Sequence, residues 1–120
     1  MEQELRKVAY TKDFIEAFQL LPEDVKEKYD YVFQIMTTQR VVNKKFVKKI
    51  ETTEFYKMRV SVGNNEYRSF LFAIDAKNFM ECHKILMLNT FIEKSSKQYK
   101  AEIKKAKKLL NDWEESYVND

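Results

Sequence analysis

The pattern of side chains in the middle of this chain repeats every two residues. Residues 55–62 and 67–74 both show this period of two, which is typical of β-strands that bury one face. The turn-forming residues 63–66 lie between them, and asparagine tolerates the positive φ that tight hairpins require. A third hydrophobic segment, residues 84–91, follows after a short break. The pattern predicts three strands in an antiparallel meander.

Helical spacing replaces this alternation on both sides of the meander. Apolar side chains recur every three or four residues in 14–21 and again in 25–36, which predicts a pair of helices. Thr11 can cap the first helix, and Pro22 suits the first turn of the second, which we expect to reach about Arg40. A last helix closes the chain along a seam of Ile103, Ala106, Leu110, Trp113 and Tyr117.

Together these elements predict an α+β protein with the order β-α-α-β-β-β-α. Residues 4–10 supply a short edge strand, and we expect a small antiparallel sheet with the helices packed on one side. No repeat or linker divides the chain, so residues 1–120 are predicted to form a single domain. The lysine-rich connection 41–54 has two interpretations: a short helical turn that buries Phe46 and Ile50, or a basic rim beside the sheet.

The register of the predicted hairpin decides whether three cations share one face. With residues 64–65 as a two-residue loop, Arg59 lies opposite Phe70, and Lys57, Arg59 and Arg68 point the same way. A three-residue loop would place Arg59 and Arg68 on opposite faces, because a slip of one residue inverts the pattern. We favour the two-residue loop. Like charges repel one another, so folding alone gives no reason to gather these cations, whereas a polyanion gives one.

The composition narrows the possible chemistry. The chain is 44% hydrophobic and 34% charged, as in soluble globular proteins, and its net charge of +3 hardly favours nucleic acid by itself. A single cysteine excludes an internal disulfide and a cysteine-cluster metal site, and a single histidine excludes a histidine-pair nuclease. One glycine excludes a glycine-rich phosphate loop. Any catalysis therefore uses Lys, Arg, Tyr or carboxylates.

The sequence pattern also predicts no targeting or membrane-spanning segment. Met1 is followed by a polar segment, and no apolar stretch reaches the roughly 18 residues of a membrane span. We therefore expect a cytoplasmic protein without a membrane partner.

Several short motifs carry a family resemblance. YKMR at 56–59, EYRSFLF at 66–72, and F-x-x-K-S-x-K at 91–97 followed by E-I-x-x-A occur in an order that resembles the RelE/HigB-type toxins of bacterial toxin–antitoxin modules, in particular their phage-derived HigB-like branch. The resemblance covers about residues 8–113. It implies a RelE-like fold and an endoribonuclease that uses no metal and no cofactor, cleaves mRNA on the ribosome and so inhibits translation. It also implies a cognate antitoxin that silences the toxin.

The resemblance further implies the catalytic residues. Arg68 matches the most dependable arginine of the family and would clamp the scissile phosphate. Lys57 and Arg59 match two cations on the preceding strand; Lys57 is the better candidate base, because arginine stays protonated, and Arg59 would stabilise charge. Lys94 would contact the phosphate or the leaving group, and Tyr99 would orient or activate the ribose 2′-hydroxyl.

This chain departs from the family pattern beside the last strand. Members of the HigB-like branch often carry a lysine where Glu93 stands, and several carry a histidine where this chain has Asn89-Thr90. A carboxylate in a phosphate site is unfavourable, so either Glu93 points away or the activity is weakened. Two other functions therefore stay open: a ParE-like poison of DNA gyrase, and a catalytically silent relative that only binds an antitoxin.

Four of the five candidate residues also have a purely structural interpretation. Arg68 could pair with Glu66 or Glu54 on an exposed sheet face. Lys57 and Arg59 could be ordinary solvent-facing strand residues. The tyrosine at 99 could be the first apolar contact of the last helix.

Overall fold

The computed structural model describes residues 3–118, and the side chains as far as residue 116. The elements in chain order are β1 (Lys7–Tyr10), α1 (Lys12–Gln19), α2 (Glu23–Thr38), β2 (Val47–Lys49), β3 (Phe55–Val62), β4 (Asn65–Ala73), β5 (Lys84–Ile92) and α3 (Ser96–Val118). The five strands form one sheet in the order β1-β5-β4-β3-β2. The predicted α+β class is confirmed. None of the helices within residues 3–118 combines the length and the apolar character that a membrane span requires.

Local capping explains where the first helices begin. The Thr11 hydroxyl oxygen accepts a hydrogen bond from Phe14 N at 3.0 Å, as predicted for an N-cap, and donates to the Leu88 carbonyl at 2.6 Å. This residue therefore ties α1 to β5. Pro22 is the N-cap of α2 rather than a residue of its first turn, and α2 ends at Thr38 rather than at about Arg40.

The helices cover both faces of the sheet, so the prediction that they pack on one side was wrong. Helices α1 and α2 bury the face of the sheet that carries Met58, Val60, Leu71, Ala73, Ile85 and Met87. Helix α3 buries the opposite face with Phe55, Phe70, Leu86 and Leu88. The physical reason lies in β4, where the consecutive residues from Tyr67 to Leu71 are all buried. A strand that is buried on both sides must be covered on both sides.

Two strand pairings also differ from the prediction. Strand β1 runs parallel to β5, so the sheet is mixed rather than purely antiparallel. The connection 41–54 contains both a turn and a strand. Val47 N donates to the Asn43 carbonyl at 3.2 Å in a single turn, and Ile50 is buried, as the helical-turn interpretation predicted. Strand β2 then pairs antiparallel with β3 and places Lys48 opposite Lys57. Strand β2 ends the sheet with exposed lysines, in agreement with the basic-rim interpretation.

The hairpin between β3 and β4 uses Gly63-Asn64 as its loop, with φ +60° at Gly63. Positive φ at the first loop residue is the requirement of a type II′ hairpin turn, and glycine meets it without steric cost. Arg59 consequently lies opposite Arg68 and not opposite Phe70. The expected register was therefore wrong by two residues, a shift that keeps every side chain on its predicted face.

A β-bulge in β5 changes the face of the sheet to which the side chains at the end of that strand point. Phe70 pairs with Asn89 and Leu71 pairs with Met87, which leaves Leu88 as an additional residue. Such an insertion interrupts the alternation of side chains between the two faces. Asn89 therefore points to α3, where its amide nitrogen donates to the Glu102 carboxylate at 2.9 Å. The residues that follow, including Phe91, keep this shifted alternation.

Candidate active site

Three predicted cations meet on the α3 face of the sheet. Lys57 and Arg59 alternate along β3, and Arg59 lies directly opposite Arg68 on β4. Lys48 on β2 faces Lys57 from the other side. Like charges placed opposite one another in a sheet are destabilising, so this cluster needs anions. The hairpin register and the strand order together bring these residues to one place.

Arg68 is the most enclosed of these cations, with 9% of its surface exposed. Its Nη1 donates to the Tyr67 carbonyl at 3.1 Å and to Glu66 Oε2 at 3.2 Å. Its Nε lies 2.8 Å from Glu93 Oε2, in an ion pair whose angle is not that of a hydrogen bond. The predicted structural pairing with Glu66 is therefore present. Of the two alternatives for Glu93, that it points away from the site is contradicted, because it contacts Arg68.

Arg59 differs from Arg68 in what surrounds it. Its Nε is buried and has no hydrogen-bond acceptor among the protein atoms of residues 3–118. Buried polar groups nearly always have a partner, and an exception at a cationic surface requires an explanation. An anion that binds between Arg59 and Arg68 would satisfy this donor.

Lys57 and Tyr99 lie next to each other beside the two arginines. The Lys57 Nζ is 5.2 Å from the centre of the Tyr99 ring. Burial and the neighbouring Arg59 lower the pKa of Lys57, and Glu93 opposes this shift. Burial and Glu93 raise the pKa of Tyr99. Lys57 is thus closer to the neutral form than an ordinary lysine, whereas Tyr99 keeps its proton more firmly than an ordinary tyrosine.

Tyr99 is also a packing residue, as its structural interpretation predicted. Its ring stands edge-on to Phe70 at 5.5 Å and to Phe91 at 6.3 Å, at the point where α3 begins to cover the sheet. The packing fixes the height of the ring above β3 and so places it against Lys57. Tyr99 therefore both packs against the sheet and lies in the candidate site.

A cleft of about 490 Å³ opens beside these residues, between β3 and the start of α3. Its lining consists of Lys57, Glu93, Lys94, Ser95, Ser96, Tyr99 and Lys100. Three of the five predicted residues line the cleft: Lys57, Lys94 and Tyr99. Arg68 lies next to the cleft, because it forms an ion pair with the lining residue Glu93, and Arg59 lies opposite Arg68. The sequence predicted Glu66 as a partner of Arg68, but it did not indicate that Ser95, Ser96 and Lys100 line the cleft.

The loop between β5 and α3 is held by its own side chains. The Ser95 hydroxyl oxygen accepts from Gln98 N at 3.1 Å, which caps α3, and Gln98 Oε1 accepts from Lys94 N at 2.7 Å. The Glu93 N–H donates to the Glu66 carbonyl at 2.8 Å. These contacts fix the backbone that carries Glu93 and Lys94.

The chemistry available here is that of cations, a tyrosine and two carboxylates. Within residues 3–118, no group of three or more His, Cys, Asp or Glu side chains is placed to hold a metal ion. The cations can bind the oxygens of a phosphodiester through charge-assisted hydrogen bonds, which are stronger than neutral ones.

Comparison with solved structures gives the class of fold. The chain is similar to a structure of the E. coli toxin RelE in the free state, determined for a mutant with two arginine-to-alanine substitutions. The TM-score is 0.58, and the match covers 85% of this chain and 97% of that one. The identity is 14%, so this likeness shows the fold. A RelE-type toxin fold is thus established.

Sequence comparison then gives the family. A family model described as "Phage derived protein Gp49-like (DUF891)" matches residues 16–111, and the chain belongs to this family. A search of curated proteins found no significant match. The expected resemblance to the phage-derived branch of the RelE/HigB-type toxins is confirmed by family and fold together.

Proposed function

We propose that this protein is the toxin of a toxin–antitoxin module and inhibits translation as a ribosome-dependent mRNA endoribonuclease. The observation that carries the proposal is the direct opposition of Arg59 and Arg68, with Lys57 beside them in contact with Tyr99. Such a cluster has a cost in folding that a phosphate would remove. The family and the fold support the same conclusion.

The proposed reaction is an attack within the RNA strand. A base removes the proton of the ribose 2′-hydroxyl, whose oxygen forms a bond to the adjacent phosphorus. The bond from phosphorus to the 5′-oxygen breaks, and this oxygen takes up a proton. The products are a 2′,3′-cyclic phosphate and a free 5′-hydroxyl. The reaction needs a base, an acid and donors for the additional negative charge on the phosphorane.

The residues have separate roles in this proposal. Arg68 clamps the phosphate, and Arg59 turns its unsatisfied Nε toward the charge that develops in the transition state. Lys57 is the base, because burial and Arg59 lower its pKa and so raise the fraction in the neutral form. Lys94 binds the phosphate or stabilises the leaving oxygen from the rim of the cleft. Tyr99 orients the 2′-hydroxyl with its retained proton.

The proposed partners follow from the same surface. The mRNA on the ribosome supplies the polyanion, and a cognate antitoxin silences the toxin by covering the cationic face or displacing α3. An acidic or amphipathic antitoxin segment would suit either route.

Induced expression in a bacterium tests the proposal. Wild type and Arg68→Ala are expressed separately, and the 5′ ends of transcripts are mapped by sequencing. We expect wild type to arrest growth and to cut mRNA within translated frames. Arg68→Ala should reduce cutting about 10²–10³-fold, the usual effect of removing one transition-state donor. Arg40→Ala, which removes an exposed arginine after α2, is the matched control and should still cut.

Other outcomes select the alternatives. Growth arrest with a DNA-damage response and without RNA cuts would favour the gyrase poison. Soluble protein without arrest would favour the silent relative. Full toxicity of Arg68→Ala would show that the residues assigned here are wrong.

A further inference from the structure

The Arg68 guanidinium already holds a carboxylate where a substrate phosphate would bind. Glu93 Oε2 lies 2.8 Å from Arg68 Nε, and Glu66 Oε2 lies 3.2 Å from Nη1. A carboxylate and a phosphodiester compete for the same donors, because arginine recognises both with the same edge. If Arg68 clamps the scissile phosphate, as in the proposed function, one of the two carboxylates must leave.

The two carboxylates differ in how firmly they are held. Ser61 donates a hydrogen bond to Glu66, and this bond together with Arg68 lowers the pKa of Glu66. The contact of the Glu93 carboxylate is the ion pair with Arg68, and its angle is poor for a hydrogen bond. Glu93 is therefore the partner that an incoming anion displaces more easily.

The position of Glu93 permits this exchange without a change of fold. Its backbone N–H is bonded to the Glu66 carbonyl at 2.8 Å, and its side chain is at 36% exposure and lines the open cleft. A rotation about side-chain bonds is enough to move the carboxylate from Arg68 into the cleft. Lys94 and Lys100 line the same cleft and offer it new partners.

We propose that Glu93 is a gate on the phosphate site: it neutralises Arg68 in the free protein, and RNA binds by replacing it. The wild-type protein then binds RNA more weakly than a protein without this pair, because RNA must first break the contact between Glu93 and Arg68. The inference rests on the proposed function for the identity of the ligand, a single-stranded RNA phosphodiester. It goes further in assigning a competing role to a residue of the chain itself.

Binding to an RNA that cannot be cleaved tests the gate separately from catalysis. The probe is a short, labelled, single-stranded RNA with every 2′-hydroxyl methylated, and its dissociation constant is measured by fluorescence anisotropy. Glu93→Gln should bind about tenfold more tightly than wild type, because it removes the carboxylate charge that competes with the RNA phosphate for the largely buried Arg68. Glu16→Gln removes the same charge from α1, which packs on the other face of the sheet, and should change binding less than twofold.

A double-mutant cycle shows whether the effect passes through Arg68. In an Arg68→Gln background, Glu93→Gln should no longer tighten binding, since the pair that it breaks is already absent. A gain that persists there would be a general charge effect and would overturn the gate. Equal or weaker binding of Glu93→Gln, or no binding by either protein, would overturn it too, provided that circular dichroism shows folded protein.

Cleavage is measured alongside binding, so that the two proposals fail separately. If no variant cuts translated mRNA but Glu93→Gln binds the methylated RNA more tightly, the nuclease assignment fails and the gate stands. If wild type cuts and Glu93→Gln binds no better, the gate fails and the nuclease stands. Loss of both binding and cutting in folded Glu93→Gln would make Glu93 part of the catalytic site.

Discussion

Two buried arginines in this protein have opposite surroundings. Arg6 is 1% exposed, and its side chain donates five hydrogen bonds to the carbonyls of Met36, Gln39, Arg40, Phe79 and Met80. Its guanidinium also lies over the Phe79 ring at 4.4 Å. Arg68 is 9% exposed and bonds to one carbonyl, and its other partners are the side chains of Glu66 and Glu93, which are 48% and 36% exposed.

The difference shows how one residue type can be tied to the backbone in one place and be available to a ligand in another. The five hydrogen-bond acceptors named for Arg6 are all backbone carbonyls, at the end of α2 and in the loop before β5, and they cannot move without local unfolding. The carboxylate partners of Arg68 are side chains at the solvent boundary, which can exchange for another anion. A buried cation is therefore a functional candidate when its partners are replaceable.

The largest expected effect is the loss of Arg6. Arg6→Met should lower the free energy of unfolding by about 3–5 kcal/mol, because several buried carbonyls lose their donor. Arg68→Met should lower it by at most about 1 kcal/mol, since the released carboxylates are partly solvated. Urea denaturation measures both. Arg6→Lys, which keeps some of the bonds, provides a value if Arg6→Met does not fold. Equal losses of unfolding free energy in Arg6→Met and Arg68→Met would contradict the distinction between the two arginines.

A smaller effect is expected from Lys57, the proposed base. A lysine acts as a base only when it is neutral, so cleavage should rise with pH and level off near its lowered pKa. Lys57→Arg keeps the positive charge and stays protonated; it should cut about 10²-fold more slowly, without this rise. Initial rates on translated mRNA against pH provide the measurement. Lys48→Arg, the exposed cross-strand neighbour, is the control, and an unchanged profile in Lys57→Arg would exclude Lys57 as the base.

The smallest effect is expected behind the site, at Tyr29. Its buried hydroxyl lies 2.7 Å from the hydroxyls of both Ser69 and Thr90 on neighbouring strands. Tyr29→Phe should cost about 1–2 kcal/mol of unfolding free energy, because the two hydroxyls lose a shared partner. Like Arg6, this group is enclosed, so we expect cleavage by folded protein to stay within about twofold of wild type.

Tyr29 should also make the free energy of unfolding depend on pH. Burial raises the pKa of Tyr29 above its ordinary value of 10.0. Its contribution to stability is therefore complete below pH 10 and is lost as the pH rises through the higher folded value, since only the unfolded state ionises readily in that range. Urea midpoints should fall more steeply above pH 10 for wild type than for Tyr29→Phe. Parallel curves would contradict this account.

Much of the fold could be predicted because local pattern determines local structure. The alternation along 55–62 predicted β3, and Thr11 predicted the start of α1. The cations of β3 and β4 were assigned to one face despite the wrong register, because a shift of two residues preserves the side-chain direction. The apolar residues on both sides of β4 are visible in the sequence, and their burial explains why helices cover both faces of the sheet.

What the sequence determined was the set of residue types and the face on which each strand residue lies. The tertiary structure decided which of them meet. The bulge at Leu88 reverses the alternation of β5, and so puts Phe91 on the side of Tyr99 and Glu93 against Arg68. Sequence spacing predicts directions only within one unbroken element, whereas a bulge depends on how neighbouring strands pack. For this reason the sequence marked Glu93 as unusual, and only the fold showed that it contacts the proposed phosphate clamp.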